Sequence, residues 1–319
     1  MNGLWLQDEK IVYRTDLPLP PVEPGMALIR LRLAGICSTD LEMTRDYSPF
    51  IGVPGHEFVG EVVEAPGNDE WIGKRVVGEI SIVCGECRTC KAGRSNHCEN
   101  RKTLGIFGYD GVFAEYFTLP VRNLHLVPVG LSDEAAVFTE PLAAALEIQE
   151  QVQIQPGMRV LVVGAGRLGL LIAQVLRLTG CDLSVVVRRE APEKFLAGWG
   201  ITTIYQDDVI ENAYDVVIEA TGAPDGFEFG RRAVRPAGTL VLKSTYAGDV
   251  QVNLSAIVVD EVTLIGSRCG PFEPALQLLE SGQIDTASMV SARFGLSDGS
   301  AAFQKAAESG MLKVVLEPD

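Results

Sequence analysis

The chain has 319 residues, which exceeds one ordinary domain and predicts two. Its 27 basic and 42 acidic residues give a formal net charge of −15, so neither a nucleic-acid nor a membrane partner is expected. No apolar run reaches the roughly eighteen residues of a membrane-spanning helix, and the charged N-terminal stretch lacks the apolar core of an export signal. We therefore expect a cytoplasmic protein with reduced thiols.

The first part of the chain, to about residue 130, predicts an irregular and mostly β domain. Ile29, Leu31 and Leu33 alternate with two arginines, which is the pattern of a half-buried strand. Short apolar runs separated by Gly and Pro continue this pattern through residues 57–82.

Four cysteines follow within fifteen positions, spaced C-x2-C-x2-C-x7-C: Cys84, Cys87, Cys90 and Cys98. Disulfides are disfavoured because thiols stay reduced in the expected compartment. The chain also has seven cysteines, an odd number that cannot all pair with one another. An iron–sulfur cluster is disfavoured because the last cysteine follows a long gap and precedes no proline. Four thiolates form a closed tetrahedral zinc site with no open position for a substrate, so a structural zinc is favoured over a catalytic one.

The pattern changes near Ser132, where residues 132–152 predict a helical connection with a Ser or Asp N-cap. From residue 158 the chain alternates apolar strands with helical stretches. Continuous apolar strands separated by helices predict a parallel sheet covered on both faces.

The first turn of this α/β segment has the pattern G-x-G-x-x-G, formed by Gly164, Gly166 and Gly169 around Arg167 and Leu168. In a strand–turn–helix context it predicts a dinucleotide site, because glycines allow the pyrophosphate to approach the helix N-terminus closely. The alternative is a glycine-rich turn that binds no ligand.

The second strand of this segment ends in arginines instead of the carboxylate that usually binds the ribose 2′-OH of NAD. Arg188 lies nineteen positions after Gly169, and Arg189 follows it. Since guanidinium groups pair well with a 2′-phosphate, NADP(H) is the preferred cofactor and NAD(H) the second choice. The alternative is that both arginines are solvated charges at a strand end.

Motifs along essentially the whole chain resemble the zinc-containing medium-chain dehydrogenase/reductase family, which includes the alcohol and polyol dehydrogenases. They are AGICSTDLEM, GHEFVG, the four-cysteine segment, TEPLAAALE, GAGRLG and EATGA. The resemblance implies an α/β protein with a GroES-like β-rich catalytic domain and a doubly wound Rossmann domain. The implied boundaries are 1–143 with a structural-zinc lobe at 84–98, then 144–271 for the dinucleotide domain, and 272–319 for the return to the catalytic domain.

The resemblance also implies a catalytic zinc held by Cys37, His56 and a glutamate, either Glu57 or Glu140. Zinc with one open position polarises an alcohol oxygen, so that hydride can pass to a nicotinamide. The other implied catalytic residues are Thr39, which matches the hydroxyl that receives the alcohol's proton, and Asp40, which can fix the tautomer of His56.

In the Rossmann segment, the resemblance adds Thr221, Gly222 and Arg268 to the cofactor-binding residues. The implied function is a zinc-dependent oxidoreductase that transfers hydride between NADP(H) and a secondary alcohol or polyol, or the corresponding ketone. The implied partners are a small-molecule substrate and further copies of the chain in a homodimer or homotetramer, with two zinc ions per chain. The alternatives are a reductase of a larger ring substrate and a non-catalytic nucleotide-sensing protein.

Overall fold

The computed structural model describes residues 1–45, 49–188, 190–246 and 249–319. By internal contacts the chain divides into two compact units. The first unit comprises Met1–Glu140 and Phe272–Asp319, and the second comprises Pro141–Pro271.

The first unit is mainly β. Its strands are β1 (Gly3–Gln7), β2 (Lys10–Arg14), β3 (Met26–Ile36), β4 (Glu57–Glu64), β5 (Arg75–Gly78), β6 (Ser81–Ile82), β7 (Lys102–Leu104), β8 (Gly108–Tyr109), β9 (Tyr116–Pro120), β10 (Leu124–Leu126), β17 (Val290–Gly295) and β18 (Lys313–Glu317). Its helices are α1 (Ser38–Met43), α2 (Arg88–Lys91), α3 (Asp133–Ala136), α9 (Phe272–Glu280) and α10 (Gly299–Ala307).

The main sheet of the first unit includes the C-terminal strand β18. Within the described part of the chain it has the order β10-β5-β4-β3-β18-β17, and β9 also pairs with β3. Strand β18 pairs antiparallel with β3, so the chain end lies directly beside the longest strand of the N-terminal part. The cysteine segment carries a separate small sheet of order β6-β7-β8.

Strand β3 has the alternation that the sequence predicts. Ile29, Leu31 and Leu33 are at most 2% exposed, whereas Arg30 and Arg32 lie on the solvent side. Because successive side chains of a strand point to opposite faces, this alternation places the apolar set in the core. The prediction of a half-buried strand is confirmed.

The predicted helical connection at 132–152 is confirmed and consists of two helices: α3 is followed by α4 (Thr139–Gln151). Pro141 explains the break, because proline has no N–H and its ring would clash with the carbonyl of Val137 inside a continuous helix. In the first turn of α4 a backbone N–H has no intrahelical acceptor, so a proline there removes no hydrogen bond. The predicted serine cap is confirmed, since the Ser132 hydroxyl accepts from the amide of Ala135 at 3.2 Å.

The second unit alternates strands and helices. Its strands are β11 (Arg159–Val163), β12 (Asp182–Val187), β13 (Thr202–Tyr205), β14 (Tyr214–Glu219), β15 (Val234–Leu242) and β16 (Thr263–Gly266). After the remainder of α4, its helices are α5 (Arg167–Arg177), α6 (Glu190–Gly198), α7 (Asp225–Ala233) and α8 (Leu254–Val259).

The described strands of the second unit form the parallel sheet that the sequence predicts. Their order is β13-β12-β11-β14-β15-β16, which in unit numbering is 3-2-1-4-5-6, the doubly wound dinucleotide-binding order. Residues 160–163 of β11 are buried, as expected for a strand covered on both faces. The strand order reverses between β11 and β14, and such a reversal opens a crevice at the carboxyl ends of the strands.

Among the described residues, no helix combines the length and the apolar composition that crossing a membrane requires.

Candidate active site

The register of β3 and β4 brings the first two predicted metal ligands together. Cys37 directly follows β3, and His56 directly precedes β4. Gly35, near the end of β3, pairs with Glu57, the first residue of β4. Antiparallel pairing therefore places the end of one strand beside the start of the next, although the ligands are nineteen residues apart in sequence.

Three side chains at this end of the sheet have the composition of a zinc site. One ligand atom from each of Cys37, His56 and Glu57 lies within 4.8 Å of the others. His56 is 3% exposed and Glu57 1%, while Cys37 is half-buried. One thiolate, one imidazole and one carboxylate with a partly open side match zinc in a catalytic role.

Asp40 supports this cluster from the first turn of α1. It is fully buried, and its Oδ2 accepts from the backbone N–H of Cys37 at 2.7 Å. Its Oδ1 lies 3.3 Å from Nδ1 of His56, although the two are not aligned as a hydrogen bond. This arrangement turns the other ring nitrogen, Nε2, away from Asp40 and leaves it for a metal.

The electrostatic surroundings of His56 favour a positive charge at this point. Burial is the largest influence and lowers the pKa of His56, but Asp40 and Cys37 outweigh it and raise that pKa well above its ordinary value. Glu57 Oε1 is also buried and has no hydrogen-bond partner among the described residues. A buried carboxylate oxygen beside a thiol and an imidazole fits a bound cation.

Thr39 lies beside the cluster, with its Oγ1 3.9 Å from Sγ of Cys37 and its side chain half-buried. A hydroxyl at this distance can exchange a proton with a substrate oxygen next to the cysteine. Glu42, three positions further on, forms an exposed pair with Arg45 at 3.3 Å and does not belong to the ligand group.

Sequence reasoning missed one partner of the cluster, Lys313. Its ammonium forms a buried ion pair with Oε2 of Glu57, and Lys313 is 3% exposed. The two residues belong to β18 and β4, which both pair with β3 at Gly35. They meet over Gly35, where an added Cβ would lie 2.5 Å from Glu57 Oε2. The available signal was a lysine at the start of the apolar run KVVL.

Glu140, the other predicted glutamate, lies in the first turn of α4 and is half-buried. It is not among the three residues whose ligand atoms group within 4.8 Å. A carboxylate in the first turn of a helix is also favoured by the helix dipole. Its role as a ligand stays a prediction.

The four cysteines of the small lobe form the second group of candidate ligands, again with atoms within 4.8 Å. The Sγ of Cys98 lies 3.5 Å from that of Cys84 and 3.9 Å from that of Cys87. Zinc–sulfur bonds of about 2.3 Å in a tetrahedron place sulfurs about 3.8 Å apart, whereas a disulfide holds them at about 2 Å. The spacing fits a metal and not a disulfide.

Backbone amides donate to sulfurs of this lobe and lower the pKa of Cys84 and Cys87, whereas burial and the neighbouring thiols raise the pKa of Cys90 to about 12. The Sγ of Cys84 accepts from the amide of Cys87, and the Sγ of Cys98 accepts from that of Asn100, at 3.4 and 3.3 Å. The amides of Glu86 and Cys87 lower the pKa of Cys84 to about 6. Since thiolates bind metal and repel each other without one, the lobe is built for a cation.

We expect Cys90→Ser to remove one zinc ion and to destabilise the protein by at least about 2 kcal/mol, because loss of a structural metal is among the large single-site effects. Metal analysis and thermal unfolding measure both quantities. Cys181→Ser is the matched control, since Cys181 is half-buried and belongs to neither ligand group. A Cys90→Ser protein that is zinc-depleted but as stable as the wild type would contradict a structural role.

The glycine turn of the second unit has a conformation and close contacts that exclude larger side chains at Gly164 and Gly169. Gly164 has a φ of +113°, and an added Cβ there would lie 2.6 Å from the carbonyl of Ala220. An added Cβ at Gly169 would lie 1.8 Å from the carbonyl of Gly164. Gly166 is the N-cap of α5, and Arg167 and Leu168 form its first turn. The turn leaves the N-terminus of α5 accessible to an anion.

The remaining predicted cofactor residues follow the carboxyl ends of the strands. Arg188 comes directly after β12 and forms an exposed pair with Asp225 at 3.2 Å, which costs little to break. Arg189 lies outside the described residues. Thr221 and Gly222 follow β14.

Arg268 follows β16 and is exposed. Its carbonyl accepts from the buried ammonium of Lys243 at 3.1 Å. The predicted residues that the structure describes therefore lie at the edge of the sheet where doubly wound proteins bind nucleotides.

A doubly wound dinucleotide-binding unit and a β-rich unit with an S/N/O ligand cluster define a zinc-binding dehydrogenase. Residues 23–129 match the family described as "Alcohol dehydrogenase GroES-like domain", and residues 168–281 match "Zinc-binding dehydrogenase". The chain belongs to the zinc-containing medium-chain dehydrogenase/reductase family. The predicted family, the GroES-like and Rossmann fold class, and the class of oxidoreductases acting on CH–OH groups are confirmed.

Individual relatives extend over nearly the whole chain. An L-threonine 3-dehydrogenase of Streptomyces avermitilis is 33% identical over 99% of this chain and 96% of its own. A sorbitol dehydrogenase of Halalkalibacterium halodurans is 30% identical over 95% of this chain and 94% of its own. A solved structure of a zinc-binding dehydrogenase from Sinorhizobium meliloti 1021, bound to NADP, has a TM-score of 0.91 at 28% identity and covers 99% of both chains.

Proposed function

We propose that the chain is a zinc-dependent, NADP(H)-preferring oxidoreductase that interconverts a small secondary alcohol or polyol with its ketone. In this proposal, residues 1–143 and 272–319 form the catalytic domain, and residues 144–271 bind the dinucleotide. The observation that carries the proposal is the cluster of the half-buried Cys37 with the buried His56 and Glu57.

The cluster supplies the ligands, and its neighbours supply the proton chemistry. Zinc held there would act as a Lewis acid on the alcohol oxygen, and the nicotinamide would accept the hydride. Asp40 holds the backbone of Cys37 and faces the ring of His56, so both ligands are oriented before the metal arrives. The hydroxyl of Thr39 would relay the alcohol's proton, accepting it as its own proton passes to water.

The charge at the end of β12 supports NADP(H). A carboxylate at this point would bind the 2′-OH of NAD, but the first residue after the strand is Arg188. Its pairing with Asp225 is exposed on both sides, so the guanidinium can exchange that partner for a 2′-phosphate. The NADP bound to the Sinorhizobium relative supports the same cofactor.

The class of substrate and the assembly are proposed from the relatives and from the surface. L-Threonine and sorbitol, named for two relatives, both carry secondary alcohols. A homodimer or homotetramer is supported by an apolar patch on α8, where Leu254, Val258 and Val259 are 67%, 74% and 79% exposed. The predicted cytoplasmic location remains a proposal.

A panel of secondary alcohols and ketones, assayed with NADP(H) and NAD(H), tests the proposal. We expect kcat/KM to favour NADP(H), and Arg188→Ser to lower that preference about 10- to 100-fold, the value of a charge-assisted hydrogen bond. The matched control is Arg232→Ser, which removes another exposed, paired arginine of the same unit. A wild type that prefers NAD(H), or an Arg188→Ser variant with unchanged preference, would overturn the cofactor assignment.

A further inference from the structure

A buried carboxylate lies at the carboxyl end of β14, outside the set of cofactor residues described above. Glu219 is 2% exposed. Its Oε1 accepts from the N–H of Thr221 at 2.7 Å, from the hydroxyl of Thr221 at 2.5 Å and from the hydroxyl of Ser244 at 2.9 Å. These three donors replace the water that a carboxylate loses on burial.

The same network joins two separate segments of the chain. The hydroxyl of Ser244, which follows β15, also accepts from the N–H of Gly222 at 2.8 Å. The hydroxyl of Thr221 accepts from the N–H of Ala223 at 3.1 Å. A single oxygen of Glu219 therefore fixes the turn 221–223 and ties it to the end of the neighbouring strand.

Ala220, directly before this turn, packs against the glycine turn at Gly164. The N–H of Ala220 donates to the carbonyl of Val163, the last residue of β11, at 2.9 Å. The carbonyl of Ala220 is the atom that an added Cβ at Gly164 would meet at 2.6 Å. The network thus lies where the strand order reverses, at the crevice that receives a dinucleotide in this topology.

Helix α7 packs closely against the network at Gly226. A Cβ added at Gly226 would lie 2.3 Å from Oγ1 of Thr221 and 2.5 Å from Oε1 of Glu219. Because the carboxylate is enclosed in this way, it acts on a ligand through the turn and not by contact.

We propose that Glu219 is a positioning residue of the dinucleotide site, which holds the turn 221–223 and Ser244 in the shape that receives the cofactor. The inference rests on the proposed binding of a nicotinamide dinucleotide. Without the carboxylate, the N–H and hydroxyl donors of Thr221 and Ser244 form hydrogen bonds with other acceptors. The dinucleotide can then bind only after the turn 221–223 has regained its shape. The loss therefore falls on dinucleotide affinity, whereas the metal sites of the first unit retain their ligands.

Isothermal titration of NADPH and NADP⁺ into wild type and Glu219→Gln tests this role. We expect the Kd of both nucleotides to rise about tenfold in Glu219→Gln, since an amide oxygen accepts hydrogen bonds less strongly than a carboxylate. Zinc content should not change, and the KM for the nucleotide should rise more than kcat falls. The control is Glu228→Gln, which changes an exposed carboxylate on the adjacent helix α7.

Ser244→Ala is a second variant, which still tests the positioning role of Glu219 if Glu219→Gln fails to fold. It removes one donor and should raise the Kd about threefold to tenfold. Because both changes act on one oxygen, their effects on binding should be less than additive in the double variant. A folded Glu219→Gln or Ser244→Ala protein with wild-type Kd would overturn the positioning role. A wild type that binds neither NADPH nor NADH would instead refute the proposed function.

Discussion

Replacing Cys37 with serine is expected to lower kcat/KM for alcohol oxidation by at least about 10³-fold. The substitution removes the thiolate from the S/N/O cluster, and a bound metal supplies several kcal/mol of charge stabilisation in the transition state, at about 1.4 kcal/mol per tenfold in rate. The Kd for NADPH should stay close to that of the wild type, because the nucleotide-binding residues belong to the other unit.

For Cys37→Ser, kcat/KM and the Kd for NADPH should be measured on the same preparation. Steady-state kinetics give kcat/KM, and titration gives the nucleotide Kd. Cys181→Ser, in the second unit, controls for the loss of a half-buried thiol. If Cys37→Ser reduced every active ketone at the wild-type rate, the assignment of the catalytic site would be wrong.

Replacing Lys313 with methionine is expected to destabilise the first unit by about 3–5 kcal/mol, the usual cost of removing one partner of a buried ion pair. Methionine fills the volume of the lysine stem but leaves the buried Oε2 of Glu57 without the ammonium that neutralises it. The neighbouring Phe138 ring, 5.5 Å from the ammonium, also loses a cation contact. The midpoint of thermal unfolding should fall by on the order of 10 °C.

A matched pair and a double variant isolate the electrostatic cause. Lys305→Met removes the cation of an exposed pair with Glu308 and should cost under about 1 kcal/mol. Changing Glu57 to Gln together with Lys313→Met removes both buried charges and should recover part of the stability. Lys313→Met with the wild-type unfolding midpoint would show that the pair does not stabilise the unit.

The cluster of candidate zinc ligands could be predicted because its residues lie in short, distinctive motifs. Cys37 and His56 each stand at the end of an apolar strand pattern, and the pairing of these strands in register brings them together. The two candidate glutamates could not be separated in the same way. Only the three-dimensional arrangement groups Glu57, rather than Glu140, with the other two ligands.

Lys313 could not be assigned from the sequence because it is 256 positions from Glu57. Their contact depends on β18 pairing with β3, and local periodicity carries no information on such pairing. It also depends on the missing side chain of Gly35, which opens the space above the strand. Glu219 lies in the EATGA motif, but its own role could not be assigned for a related reason, since its partner Ser244 follows another strand.

The number of zinc ions per chain is the decisive quantity, because a catalytic and a structural site in one protein together hold two. Metal analysis by plasma mass spectrometry should find two zinc ions in the wild type. Cys37→Ser should retain one and lose activity, and Cys90→Ser should retain one and lose stability. A purified wild type that oxidises secondary alcohols while holding no zinc would contradict the account.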